Sequence, residues 1–326
     1  MMDTADHLRV KLTEISRFHD AIIDSLGTFI VGNQNLLELV LIALLSEGHI
    51  LIEGVPGTAK TTIAKAVALA TNCHFNRIQG AVDLQPADLI GVRIYDQATR
   101  TFVLRPGPVF TNILLADEIN RINPKSQSAF IEAMSEKQAT IDGDTYNLPS
   151  PFLVIATQNP YELQGTFPLI EAQRDRFMFG LQSGHLGSED ELDLVRRASS
   201  GKLDWNDFSQ SIALNITKEG LLDMIRTVRS IHIGDPVLTY IRDIIIATRE
   251  NGDIDLGASS RASIAFVRGT RVKAAIAKRA YVLPDDVKAL ANAILNHRIV
   301  LSREAEVEGL QPKDVVRDIL ETIEVP

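Results

Sequence analysis

Two short stretches carry residue types that could handle a phosphate. The first is Gly54-Val55-Pro56-Gly57-Thr58-Ala59-Lys60-Thr61-Thr62, which follows the apolar run Ile50-Leu51-Ile52 and leads into a run with helical character. Strand, glycine-bearing loop and helix start, with Lys-Thr at the join, is the pattern of a phosphate-binding P-loop. Gly54 and Gly57 let the backbone turn and bring its N–H groups near phosphate oxygens, and the helix N-terminus adds a positive dipole end. Lys60 would reach the β- and γ-phosphates, and the Thr61 hydroxyl would ligate Mg²⁺. The glycine expected just before the lysine is Ala59. Its small Cβ still admits a close phosphate if φ there is negative.

The second stretch is Ile113-Leu114-Leu115-Ala116-Asp117-Glu118, a buried-strand signal ending in adjacent carboxylates. Asp117 would hold the Mg²⁺ shell and Glu118 would polarise the attacking water. Taken singly, each stretch also fits an ordinary structural junction; together, in one alternating α/β chain, they point to nucleotide hydrolysis. A third apolar run, Phe152 to Thr157, ends in Gln158-Asn159. Parallel sheets place ligands at their carboxyl ends, so Asn159 could meet the γ-phosphate or the water, or merely cap the turn at Pro160. In Glu171-Ala172-Gln173-Arg174-Asp175-Arg176-Phe177, either arginine could stabilise transferred charge or form a surface ion pair.

These groups need a scaffold, and the rest of the chain supplies its outline. At 326 residues, with 45% hydrophobic and 23% charged residues, the composition is that of a globular protein with a full core. The net charge of −9 argues against a general polyanion-binding surface. The lone Cys73 excludes an internal disulfide and a cysteine-based zinc cluster. No apolar leader is visible before Val31, and the run Leu36–Leu45 is too short to span a membrane, so a cytoplasmic protein is expected.

Periodicity gives an amphipathic helix over His7–Leu26, then an apolar turn at Phe29–Val31 that suits either a base pocket or plain packing. Hairpins are expected over Val92–Leu104 and over Ala139–Leu148, the latter turning at Asp142-Gly143-Asp144. Pro124–Met134 reads as a helix. The polar stretch from His185 to Phe208 reads as a linker, and helices follow at Leu221–Arg229, Pro236–Glu250, Ser260–Arg279 and Pro284–Leu301. The expected architecture is α/β: residues 1–184 form a P-loop core with a central parallel β-sheet flanked by helices. Residues 185–326 form a linker and a small all-α domain.

The wording of the motifs resembles the MoxR branch of the AAA+ ATPases. G-V-P-G-T-A-K-T with alanine before the lysine, L-L-A-D-E-I-N-R, A-T-Q-N-P, E-A-Q-R-D-R-F and G-A-S-S-R-A (Gly257–Ala262) carry the likeness, with Tyr281–Val287 and His297-Arg298 behind them. The resemblance runs from about Phe29 to Leu301. It implies an ATPase that uses ATP and Mg²⁺ in a hexameric ring, with the helical domain as its lid. It also implies that Asn159 is the sensor-1 residue and that Arg176 is the arginine finger acting on the neighbouring subunit's nucleotide. Arg261 becomes the sensor-2 arginine, reaching the γ-phosphate of its own subunit. The two hairpins match the family's helix-2 insert and pre-sensor-1 hairpin. Ile170, Arg174 and Ser260 stand where the family usually has proline, leucine and proline, and Arg174 therefore remains a second candidate finger.

By the same resemblance, the load is a partner protein that is remodelled or matured in a chaperone-like way, together with a protein carrying a von Willebrand factor A domain. A nucleic-acid motor would need basic hairpin tips. Arg93, Arg100 and Arg105 lie in the first hairpin, but Asp142 and Asp144 at the second would repel phosphate, so DNA is not expected as partner. A nucleotide-dependent switch with little turnover would have no use for Glu118.

Overall fold

The computed structural model describes residues 4–55, 59–160, 162, 164–212 and 216–326. The expectations for Pro56, Gly57 and Thr58 lie outside these residues.

Helices α1 (Thr4–Gly27) and α2 (Gln34–Ser46) precede β1 (Ile50–Gly54), and α3 (Lys60–Ala70) follows it. Next come β2 (Phe75–Gln79), the short α4 (Pro86–Ile90) and a hairpin of β3 (Gly91–Asp96) and β4 (Thr101–Pro106). Then β5 (Ile113–Asp117) leads to α5 (Pro124–Glu136), a second hairpin of β6 (Gln138–Ile141) and β7 (Asp144–Asn147), β8 (Leu153–Gln158), α6 (Glu171–Arg174) and β9 (Phe179–Ser183). The central sheet has five strands in the order β2-β5-β8-β1-β9, with every pairing parallel.

Parallel sheets need cover on both faces, and the side-chain alternation provides it. Ile50, Ile52, Ile113, Leu115, Leu153 and Ile155 share one cluster with α1, α2, α3 and the C-terminal helices. Their intervening neighbours Leu51, Leu114, Ala116, Val154 and Ala156 point the other way, onto Phe130, Ile131 and Met134 of α5. A one-residue slip of any central strand would exchange its two faces, so the packing fixes register as well as topology.

The stretch expected as a linker contains α7 (Ser188–Ser199) and α8 (Trp205–Ser211). None of the α7 side chains is fully buried, which is why its sequence looks unstructured. Beyond it lie α9 (Lys218–Arg229), α10 (Asp235–Glu250), β10 (Ile254–Leu256), α11 (Ser260–Ile276) and α12 (Pro284–Leu295), followed by β11 (Val300–Leu301), α13 (Arg303–Val307) and α14 (Pro312–Thr322). Two helices are shorter than the periodicity suggests. The apolar run after Leu295 turns back, and Val300–Leu301 pairs antiparallel with Ile254–Leu256. The helical domain does not stand apart: Phe266 and Leu290 join Met178 and Phe179 in the same hydrophobic cluster as the sheet.

Both hairpins form. In the second, Asp142 (φ 51°) and Gly143 (φ 86°) make the two-residue turn with positive φ that matches strand twist. Arg93 of the first hairpin forms an ion pair with Asp144 of the second, tying the two together.

Two buried histidines are built into the core as neutral groups. His49 Nδ1 accepts the Val154 N–H at 3.0 Å, and its Nε2–H donates to the Met134 carbonyl at 3.0 Å. Burial, with Lys137 nearby, pushes its pKa down to about 3. His297 donates from Nε2 to the Phe177 carbonyl at 3.1 Å, and burial lowers it well below the usual range too. Both folded-state values lie below that of an unfolded histidine, so the unfolded chain takes up more protons as pH falls below about 6.5. Stability present at neutral pH is therefore lost on acidification. His49 alone accounts for roughly 2 kcal/mol by pH 5, at about 1.4 kcal/mol per pH unit of differential protonation. Urea midpoints should fall between pH 7 and pH 5; a flat profile would contradict neutral burial.

Candidate active site

The carboxyl ends of β1, β5 and β8 open into a cleft of ≈ 390 Å³. Gly54, Lys60, Thr61, Asp117, Glu118 and Asn159 all line it, so residues far apart in the chain are brought together. Val55 sits beside Gly54 at the start of the loop, and its carbonyl faces into this region through Lys60.

Each group is held by identifiable contacts. Lys60 is buried at the first turn of α3, and its Nζ donates to the Gly54 carbonyl at 3.2 Å and the Val55 carbonyl at 3.0 Å. Burial pushes its ammonium below the usual lysine range, an effect that Asp117 opposes. Thr157, itself buried on β8, donates to Asp117 Oδ1 at 2.6 Å and accepts the Glu118 N–H at 2.9 Å. Glu118 Oε2 accepts from Gln79 Nε2 at 2.9 Å and from Arg121 Nη1 at 3.3 Å. The Asn159 carbonyl accepts from Asn120 Nδ2 at 3.3 Å.

The backbone at this end of the sheet adopts conformations that ordinary residues avoid. Gly54 has φ 155°, and a Cβ there would lie 2.0 Å from the Ser183 carbonyl oxygen. Ala59 has φ 56° and Glu118 φ 53°. The negative φ that was the condition for a close phosphate beside the Ala59 Cβ is therefore not what the structure has. A left-handed residue immediately before the lysine is what makes glycine the common choice there, and alanine costs about 1–2 kcal/mol of backbone strain at that position.

The turn Phe29–Val31 lines a second cavity of ≈ 460 Å³ with Asn33, His185, Leu186 and Leu194. It shares Ala59 and Thr62 with the cleft at the strand ends, so the two adjoin. Phe29 also stacks on Phe208 at 4.2 Å between ring centroids and meets Trp205 edge-on at 5.8 Å. The turn is packed by these rings and lines the cavity as well.

Arg176 and Arg261 are elsewhere. They line a separate cleft of ≈ 240 Å³ with Gly48, His49, Lys137 and Arg268. Gly48 and His49 precede β1 and Met178 precedes β9, so this cleft lies at the amino ends of the strands. A five-residue strand spans roughly 16 Å. Arg261 thus does not reach the phosphate cleft of its own chain, and the own-subunit contact expected for it is corrected. The reason is a hub at Asp175: its carboxylate accepts from Ser259 Oγ, the N-cap of α11, at 2.8–2.9 Å. It also accepts from Arg261 Nη1 at 3.2 Å and from buried Arg298 Nε at 3.0 Å. Ser260 takes the first helical position, where proline would also fit.

Of the two candidate fingers, Arg176 opens into the cleft and donates to the neutral Ser135 hydroxyl at 2.7 Å. Arg174 does not line that cleft, and its Nε is buried without a partner among the described residues.

Sequence reasoning assigned no role to Arg77, Gln79, Thr157 or Asp175. Arg77 and Gln79, polar residues at alternate positions of one strand, were the available signal.

Comparison with known proteins decides the family. Residues 49–179 match the model for the ATPase family associated with various cellular activities, and residues 246–319 match an AAA lid domain. Chaperone MoxR1 of Mycobacterium tuberculosis is 39% identical over 91% of this chain and 79% of its own length. The chain belongs to the MoxR family of AAA+ ATPases. The YeaC protein of Bacillus subtilis, uncharacterised, is 41% identical over 93% of each chain. A crystal structure of a candidate ATPase from Cytophaga hutchinsonii superposes with a TM-score of 0.89 at 39% identity, covering 99% of each chain. As a MoxR-type AAA+ ATPase, the protein binds nucleotide and hydrolyses ATP.

Proposed function

We propose that the protein works as a ring, a hexamer by family resemblance, in which each ATP site is completed by the next subunit. The observation that carries this is the separation of two half-sites. The P-loop lysine and the two carboxylates occupy the carboxyl end of the sheet, whereas Arg176 and Arg261 face outward at the amino end. An arginine finger adds to the stabilisation of charge developing on the γ-phosphate, and the arginine cleft of a neighbour can supply it.

Within the site, Lys60 and the loop Gly54–Thr62 hold the phosphates. Asn159 contacts the γ-phosphate or the attacking water, and Glu118 polarises that water. Thr61 and Asp117 offer hard oxygen donors, which suit Mg²⁺, an ion that keeps several waters and takes its other ligands from phosphate. Among the described residues no cluster of three or more acidic, histidine or cysteine groups forms a protein-only metal cage, in keeping with such a shared ion. The mostly apolar cavity at Ile30, Val31, Leu186 and Leu194 receives the base.

The load is a partner protein, remodelled in a chaperone-like way alongside a von Willebrand factor A domain protein, in the cytoplasm. The chaperone name of the Mycobacterium relative supports this, as does the first hairpin. That hairpin exposes Val92, Ile94, Tyr95, Phe102 and Val103, a surface suited to apolar protein segments more than to phosphates. Among the described residues no helix is long and apolar enough to cross a membrane.

Turnover per subunit, measured with Mg²⁺ across a wide range of protein concentration, tests the reading. The rate should climb and then saturate as subunits associate. A rate that stays flat down to concentrations where sizing shows monomer would refute completion by a neighbour.

A further inference from the structure

Arg77 extends from β2 to the carboxylate pair. Its Nη2 donates to Asp117 Oδ2 at 2.8 Å and to Gln79 Oε1 at 2.7 Å, while Gln79 Nε2 donates to Glu118 Oε2 at 2.9 Å. Strand register explains the arrangement. Gln79 pairs with Asp117 and Arg77 with Leu115, so Arg77 and Gln79, two residues apart, project from one face beside the end of β5. One guanidinium thereby connects both acidic groups, directly at Asp117 and through an amide at Glu118.

The occupancy of Asp117 matters. Oδ1 accepts from the neutral Thr157 hydroxyl, and Oδ2 faces the arginine cation. A divalent ion drawn to the same carboxylate would meet Arg77 at close range, and two cations on one carboxylate repel. The Arg77 side chain is 46% exposed, so it has room to leave.

We propose that Arg77 is a metal-responsive counter-ion. It neutralises Asp117 until Mg²⁺ arrives with the nucleotide phosphates, and then swings outward. Its departure also removes the hydrogen bond that orients the Gln79 amide, one of the two donors to Glu118 Oε2. Arg77 is in this sense a positioning residue, acting through Asp117 and Gln79. The inference rests on the reading of Asp117 as the metal-shell carboxylate.

The test is a titration with Mn²⁺, followed by electron paramagnetic resonance of free against bound ion, at saturating ADP. It compares wild type, Arg77→Ala and Arg77→Lys, with ADP affinity measured separately in chelator. Arg77→Ala should lower the half-saturating Mn²⁺ by about three- to fivefold, the scale of a partly exposed ion pair. It should also weaken ADP binding in chelator, because Asp117 then repels the phosphates unopposed. Arg77→Lys, which keeps the charge, should stay near wild type. Thermal unfolding confirms that the variants are folded. An unchanged Mn²⁺ midpoint in Arg77→Ala, or ADP affinity lowered by the same factor with and without metal, would overturn the proposal and make Arg77 a plain phosphate ligand or bystander. Wild-type protein that binds ADP equally with and without metal would instead overturn the reading of Asp117, and the counter-ion role with it.

Discussion

Arg176→Ala should lower ATP turnover by about 10³-fold, the low end for loss of an arginine finger, while nucleotide affinity per subunit stays within about twofold. The two effects separate because Arg176 lines the cleft at the amino ends of the strands, away from its own P-loop. Its recorded partner is the neutral Ser135 hydroxyl, and among the described residues it forms no ion pair, so its charge is available to an incoming anion. Mixing supplies the decisive form of the experiment. Lys60→Ala subunits lack a working phosphate site but carry an intact arginine cleft; Arg176→Ala subunits are the converse. Equal mixtures of two inactive proteins should recover about a quarter of the wild-type rate, the share of interfaces that join a good site to a good arginine in a randomly filled ring. Mixtures that remain inactive would remove the finger role. Arg174→Ala, whose side chain does not line that cleft, should retain most activity.

Glu118→Gln is the second large effect. Removing a positioned general base costs about 10²–10⁴-fold in rate, and nucleotide binding should survive because Lys60, Thr61 and Asp117 are untouched. The amide is nearly isosteric and still accepts from Gln79 Nε2, so the backbone at φ 53° has no new reason to relax. Single-turnover measurements with bound ATP should show nucleotide retained and uncleaved. An unchanged cleavage rate would mean that the water is activated by some other group.

The motifs were legible because chemistry restricts residue types at the strand ends. Ile113–Asp117 and Leu153–Gln158 announced themselves as apolar runs terminating in polar residues, and both form neighbouring parallel strands as expected. What stayed illegible depends on packing between distant segments. Nothing local in Gly257–Ala262 tells that Ser259 and Arg261 are tied to Asp175, which moves Arg261 to the far end of the sheet. The positive φ at Ala59 could not be read either, since alanine ordinarily argues against it. α7 escaped notice because a helix without a fully buried side chain leaves only a faint apolar stripe. The helical run through Leu301 was overread because Val300 and Leu301 are as apolar in a strand as in a helix.

The opposed placement of the two half-sites gives each subunit a polarity, a socket at one end and a plug at the other. If the two ends are complementary as proposed, such subunits would associate head to tail, and a two-fold dimer would match neither surface to its complement. An open chain of n subunits therefore has one socket unfilled and completes n − 1 sites; only closure completes all of them. A subunit defective at both ends silences two adjacent sites, whereas one defective at a single end silences one. The stoichiometry of poisoning would thus report whether each site is shared between two subunits.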